Sequence, residues 1–167
     1  LLQLDAEIAR AAERWRASAA ALSATRHAAG EALARATTAL IDELGMGGGR
    51  FLVDLESTAH AGARPDPNGA ERVEFLVAAN AGQPPRPLRK VASGGELSRI
   101  SLAIEVAALG SDAVPTMVFD EVDSGIGGAV AEIVGRKLRA LGRSRQVLCV
   151  THLPQVAAQG HAHYRVS

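Results

Sequence analysis

Asp120 and Glu121 stand side by side at the end of the run Thr116-Met117-Val118-Phe119. Adjacent like charges are costly unless a cation or a chemical task separates their roles. An unbroken apolar strand reads as one buried on both faces, as in a parallel sheet covered by helices. Such sheets bind ligands at the C-terminal ends of their strands. The chemistry that fits is a nucleotide-bound Mg²⁺ held through Asp120, with Glu121 aligning and deprotonating an attacking water. The pattern also admits two solvated acids at a surface strand end.

Ser93-Gly94-Gly95-Glu96 lies upstream and precedes an apolar helical run, Ile100 to Leu109. Ser93 and Glu96 have the spacing of a capping box, which predicts an N-cap at Ser93. Such a cap contributes about 1 kcal/mol and serves any helix. The glycines need another reason, because Gly weakens a helix relative to Ala. Something must approach that backbone closely. Free N–H groups and the positive end of the helix dipole form an anion site, with phosphate the usual occupant. A plain cap and a phosphate cradle both fit the motif taken alone.

The run Gln146 to Val150 predicts a second buried strand that ends in Thr151-His152. His152 then shares a sheet edge with Asp120 and Glu121, a position that favours a functional role over a structural one. His161 and His163, in an expected last loop and strand, pair with neither Cys nor acid at metal-ligand spacing and read as structural.

The elements that must hold these residues are legible in order. Residues 1–44 read as one long helix: Leu1, Ile8, Trp15, Leu22, Ala29 and Ala36 recur every seven residues, with Leu4 and Ala11 in a second seam that Ser18 and Thr25 weaken. That is the pattern of a soft coiled-coil strand, or of an amphipathic helix packed on a domain. Gly45 and Gly47 to Gly49 stop it. Phe51, Val53 and Leu55, then Val73, Phe75 and Val77, alternate with polar residues and predict antiparallel strands with one buried face. The segment His60 to Ala70 between them reads as a mobile solvent loop, with His60 solvated. Gly82 to Pro87 reads as a stiff connector outside the sheet. After Glu121, Val122-Asp123-Ser124-Gly125-Ile126-Gly127-Gly128 predicts a turn, and Ala129 to Leu141 a helix with Val130, Ile133, Val134, Leu138 and Leu141 buried. Leu153-Pro154 opens another short helix.

Composition limits the function classes. The 167 residues suffice for one core plus an appendage. The formal net charge of zero announces no global basic field, so any DNA contact is local or lies elsewhere. One cysteine, Cys149, permits no internal disulfide and suits a reduced, cytoplasmic setting. No apolar run approaches the ~20 residues needed to span a bilayer, so no membrane contact is expected. The chain opens in a helical pattern without an initiator Met, which suggests a piece of something longer.

The signature-like Ser93 to Glu96, the apolar strand with Asp120-Glu121, Asp123 in the turn after it, and His152 after the next strand occur in the order of ABC-type ATPases. They resemble the signature, Walker B, D-loop and switch-histidine motifs. With a coiled coil entering from the N-terminal side, the chain resembles the SMC-like group of chromosome-maintenance and repair proteins. The stretches Lys90 to Ala103, Phe119 to Ile126 and Cys149 to Ala157 carry the likeness, which covers nearly everything from Gly45 onward. The resemblance implies an α/β fold: residues 45–167 as the C-terminal half of an ABC-type, SMC-like head with a parallel sheet flanked by helices, and residues 1–44 as its returning coiled-coil strand. It implies that Ser93, Gly94 and Gly95, with Glu96 beside them, meet the γ-phosphate of ATP on an opposing head. Asp120 would serve Mg²⁺, Glu121 would be the general base, Asp123 would communicate across the dimer, and His152 would sense the γ-phosphate. The implied partners are the N-terminal half of the same head, a second head, and DNA near double-strand breaks, in bacterial recombinational repair at the nucleoid.

One departure qualifies this. A complete head needs Gly-x-x-x-x-Gly-Lys-Ser/Thr for the β- and γ-phosphates, and no Gly-Lys pair occurs in the chain. The glutamine loop also has no convincing place. Both belong to the N-terminal half of such a head, so this chain alone is expected neither to hold ATP tightly nor to hydrolyse it. Another SMC-like chromosome ATPase, a transporter ATPase, or a structural clamp with an inactive head are the alternatives. The coiled coil argues against a transporter, and the presence of Glu121 and His152 argues against decay.

Overall fold

The computed structural model describes residues 2–58, 64–91, 93–108 and 114–165. His60, Gly62 and Leu109 lie outside them. Helix α1 runs Leu2–Glu43, 42 residues or about 63 Å at the α-helical rise. It stops where Gly45 takes φ 82, the left-handed conformation that closes many helices.

Two faces of α1 do different work. Along much of its length the docked stripe is small or polar, with Ala19 and Thr37 buried and Ser23 and Ala34 half-buried, before Leu33, Leu40 and the fully buried Ile41 pack into the core. The small residues let the helix lie close on strand β1 (Arg50–Ser57), where a Cβ on Gly30 would come within 3.2 Å of Val53. Thr38 Oγ1 accepts from the Phe51 N–H at 3.0 Å, tying helix to strand. The heptad residues Leu4, Ile8 and Leu22 are instead 56%, 59% and 38% exposed. Leu22 lies against Gly69, and the Trp15 indole N–H donates to the Asp66 carbonyl at 2.9 Å, so the chain before the second strand straps this part of the helix.

Strand β1 pairs antiparallel with β2 (Glu71–Ala78), and the apolar residues meet in register: Phe51 with Val77, Val53 with Phe75, Leu55 with Val73. Burial fades along that face, from Phe51 and Val77 in the core to an exposed Val73. The connector differs from expectation at its end. Arg86–Pro87 joins the sheet as a two-residue strand, β3, beside β2. Proline is tolerated there because an edge strand leaves one N–H side unpaired. A 3-10 turn, Leu88–Lys90, then leads to α2 (Gly94–Ala107).

The second sheet consists of β4 (Thr116–Phe119) and β5 (Gln146–Cys149), parallel and joined through α3 (Gly128–Leu141). The short helix α4 (Pro154–Ala157) follows. Residues 161–165 form no strand, against the reading of His163. Ile41, Leu44, Ile100, Leu102, Phe119, Val122, Val134 and Leu141 belong to one core cluster that joins α1, α2, β4 and α3. Arg145 pairs with Glu105 at 3.1 Å and links the start of β5 to α2.

Burial of β4 and β5 departs from the two-sided expectation. Met117, Phe119, Val147 and Cys149 turn toward the core, whereas Val118, Leu148 and Val150 are 65%, 45% and 62% exposed. Apolar character here exceeds what the described residues cover, and the open residues share one face because side chains alternate along a strand. No described helix is long and apolar enough to cross a membrane.

Candidate functional site

The parallel pairing of β4 and β5 places Asp120-Glu121 and Thr151-His152 at one edge, and the Val150 N–H donates to the Phe119 carbonyl at 2.9 Å just before it. The start of α2 is brought to the same place. Ser93 caps it, accepting from the Glu96 N–H at 3.3 Å. One turn on, the Ser98 hydroxyl donates to the Asp120 carbonyl at 2.7 Å, and Arg99 Nη1 donates to the Ser124 carbonyl at 2.7 Å. The start of α2, the turn with Asp120, Glu121 and Asp123, and the turn with His152 are therefore joined at one edge.

The glycine pair now has an explanation within the chain. A Cβ on Gly95 would stand 2.9 Å from Ser124 Cβ and 3.2 Å from the Glu121 carbonyl oxygen, and one on Gly94 would stand 2.5 Å from Glu121 Oε2. The loop after β4 packs directly onto the first turn of α2. The anionic group against that helix start is Glu121's own carboxylate, which the helix dipole favours. Glu121 also has φ 56, a left-handed conformation that costs a non-glycine residue about 1–3 kcal/mol and gathers at functional sites. Gly95→Ala is expected to lower stability by about 1–3 kcal/mol through overpacking, measured by urea unfolding. An unchanged midpoint would mean that the loop gives way freely.

Asp120 and Asp123 lie three residues apart in opposite environments. Asp120 is exposed, and among the described residues nothing donates to its carboxylate. Asp123 is 1% exposed and turns inward. Its Oδ2 accepts from the Thr151 hydroxyl, from the His152 N–H at 3.2 Å and from the Leu153 N–H at 3.3 Å. Burial pushes this carboxyl up, but those hydrogen bonds outweigh it and hold the group below its ordinary value. The His152 ring is 70% exposed, with Nδ1 3.5 Å from Asp123 Oδ2. Behind them Cys149 is pushed up to about 11 by burial and by the charges of Asp123 and Asp120, so it is a packing residue rather than a nucleophile.

Among the described residues no cluster of three or more His, Cys, Asp or Glu could cage a metal. Mg²⁺ does not require one, since one or two carboxylates with water and phosphate oxygens suffice, and the free Asp120 carboxylate fits that role. Ser98, Arg99 and Thr151 escape sequence reasoning. Arg99 in particular is 6% exposed and its Nε has no partner. Burial pushes its guanidinium down from the usual value, with Glu96 opposing. The one available signal was its place, one turn past Glu96 inside an apolar run.

Comparison with known proteins follows the same lines. The DNA repair protein RecN of Xylella fastidiosa is 68% identical over 167 residues, all of this chain and 30% of that protein. RecN of Haemophilus influenzae is 48% identical over 157 residues, 94% of this chain and 28% of that protein. The chain thus spans about 30% of the length of the curated relatives it matches. No protein-family model matches. The Smc head domain with a coiled coil and joint from Pyrococcus yayanosii superposes with a TM-score of 0.56 at 24% identity, over 78% of this chain and 23% of that one, which shows the head fold.

Proposed function

We infer from a chain that is RecN-like along its whole length that it forms the C-terminal part of an SMC-like ATPase head acting in recombinational repair of DNA double-strand breaks. In this reading residues 1–44 are the returning coiled-coil strand and residues 45–167 the C-terminal lobe. The observation that carries it is the joining of α2, β4 and β5 into one cluster beside an apolar sheet face left open at Val118, Leu148 and Val150. That face is where the N-terminal half of the head docks. The exposed heptad residues Leu4 and Ile8 support a partner helix on α1.

Each residue's part follows from its setting. Ser93, Gly94 and Gly95 offer a helix start with its dipole to the γ-phosphate of ATP on a second head, beside Glu96. Asp120 holds Mg²⁺, which when bound neutralises charge on the phosphates. Glu121 takes the proton of the attacking water, leaving its contact with Gly94 to do so. His152, exposed at the same edge, senses the γ-phosphate, and Asp123 lies in the loop that would meet the second head. Formal net charge is zero, so DNA is held locally or by the rest of the protein, in the bacterial cytoplasm at the nucleoid.

Association of the halves is the direct test of the carrying observation. Leu148→Arg is expected to abolish co-purification of this chain with the N-terminal half while leaving its circular dichroism unchanged. Binding as tight as that of the unaltered chain would contradict the docking face. The isolated chain is further expected to show no micromolar ATP affinity by calorimetry, because it has no Gly-Lys loop for the phosphates. Micromolar binding would contradict the division of labour.

A further inference from the structure

The Asp123 carboxylate is turned into the chain, and its partners lie in the turn after β5. It is almost wholly buried, and one oxygen, Oδ2, takes the Thr151 hydroxyl and the N–H groups of His152 and Leu153. The Thr151 hydroxyl oxygen in turn accepts from the Leu153 N–H at 3.1 Å. The turn after β5 is thereby folded around a side chain from the turn after β4. His152 is the residue this arrangement presents: its backbone is fixed through its own N–H, and its ring sits with Nδ1 3.5 Å from the same oxygen.

We propose that Asp123, with Thr151 as its relay, is a positioning residue that acts within the chain to orient His152. The carboxylate draws the ring proton to Nδ1, which leaves Nε2 as the free acceptor of a ring that is largely exposed. Which imidazole nitrogen carries the proton is set by the partner of the other one. A carboxylate behind a histidine that works through its far nitrogen is a recurrent way to fix tautomer and ring angle. The anchor lies on the turn after β4, so that turn and the turn that carries His152 are tied together.

The claim rests on the proposed ATPase reading only in its kinetic arm. In the full-length protein labelled with ¹⁵N-histidine, the His152 resonances, assigned by their loss in His152→Gln, are expected to report the Nδ1–H tautomer. Asp123→Asn keeps an acceptor for the backbone donors but removes the charge, and is expected to shift the ring toward Nε2–H. In DNA-stimulated ATP hydrolysis, Asp123→Asn and Thr151→Val should each lower kcat about 10–100-fold, the usual cost of losing such a partner, with KM for ATP nearly unchanged. Thr151→Ser, which keeps the hydroxyl, should restore the rate. A His152 tautomer that is the same in Asp123→Asn overturns the proposal, as does equal loss in Thr151→Ser and Thr151→Val. Absence of hydrolysis in every variant would contradict the ATPase reading alone, and the resonance of His152 would still decide this one.

Discussion

Glu121→Gln in the complete head is expected to cut ATP hydrolysis by about 10²–10⁴-fold, the usual contribution of a positioned base. The substitution keeps shape and length, so the contact with Gly94 and the φ of 56 at this residue should persist. What is removed is the carboxylate that would take the proton of the attacking water. In the proposed reading ATP and Mg²⁺ would still be held by other groups, and the nucleotide that joins two heads would no longer be hydrolysed. Dimers should accumulate in ATP, seen as an earlier elution volume beside a slow release of phosphate. A variant that remains fast and monomeric would remove Glu121 from the reaction. Glu121 would then serve only as the anion that packs on the start of α2.

Ile100→Ala should lower stability by about 2–5 kcal/mol, the range for truncating a large buried aliphatic side chain. Ile100 is wholly buried in the core cluster with Ile41, Leu44 and Leu102, one turn past the Gly94-Gly95 end of α2. The loss combines the transfer of the missing carbons with the cavity left among neighbours that α1 and α2 hold in place. Leu97→Ala on the same helix is the control. Leu97 is 36% exposed, and surface changes of this kind usually stay within about 0.5 kcal/mol. Urea unfolding followed by circular dichroism measures both. Equal midpoints for the two variants would contradict the core as described.

The residues that sequence alone identified are the ones whose environment is local. Ser93 caps α2 through a bond within one turn, and Phe51, Val53 and Leu55 find Val77, Phe75 and Val73 because strand alternation already sorts their faces. The shared edge of β4 and β5 follows from two apolar runs that each end in polar groups. Contacts made in the third dimension were not legible. Nothing local to Arg99 announces the Ser124 carbonyl it meets, and Asp123 reads as a loop acid until the turn after β5 closes on it. Part of the docked stripe of α1 escapes a search for large apolar residues because close approach to β1 selects a small one at Gly30, and Ala19 and Thr37 are buried as well. Val118, Leu148 and Val150 show the opposite effect. Their apolarity predicts burial, yet they are exposed among the described residues.

If this chain is one half of a catalytic head, ATP hydrolysis should depend on the other half. The rate would be measured for the chain alone and mixed with the N-terminal half, each with and without double-stranded DNA. The account predicts no turnover by the chain alone, turnover in the mixture, and loss of that turnover with Glu121→Gln. Hydrolysis by the chain alone, or a mixture inactive even when the two halves co-purify on DNA, would contradict it.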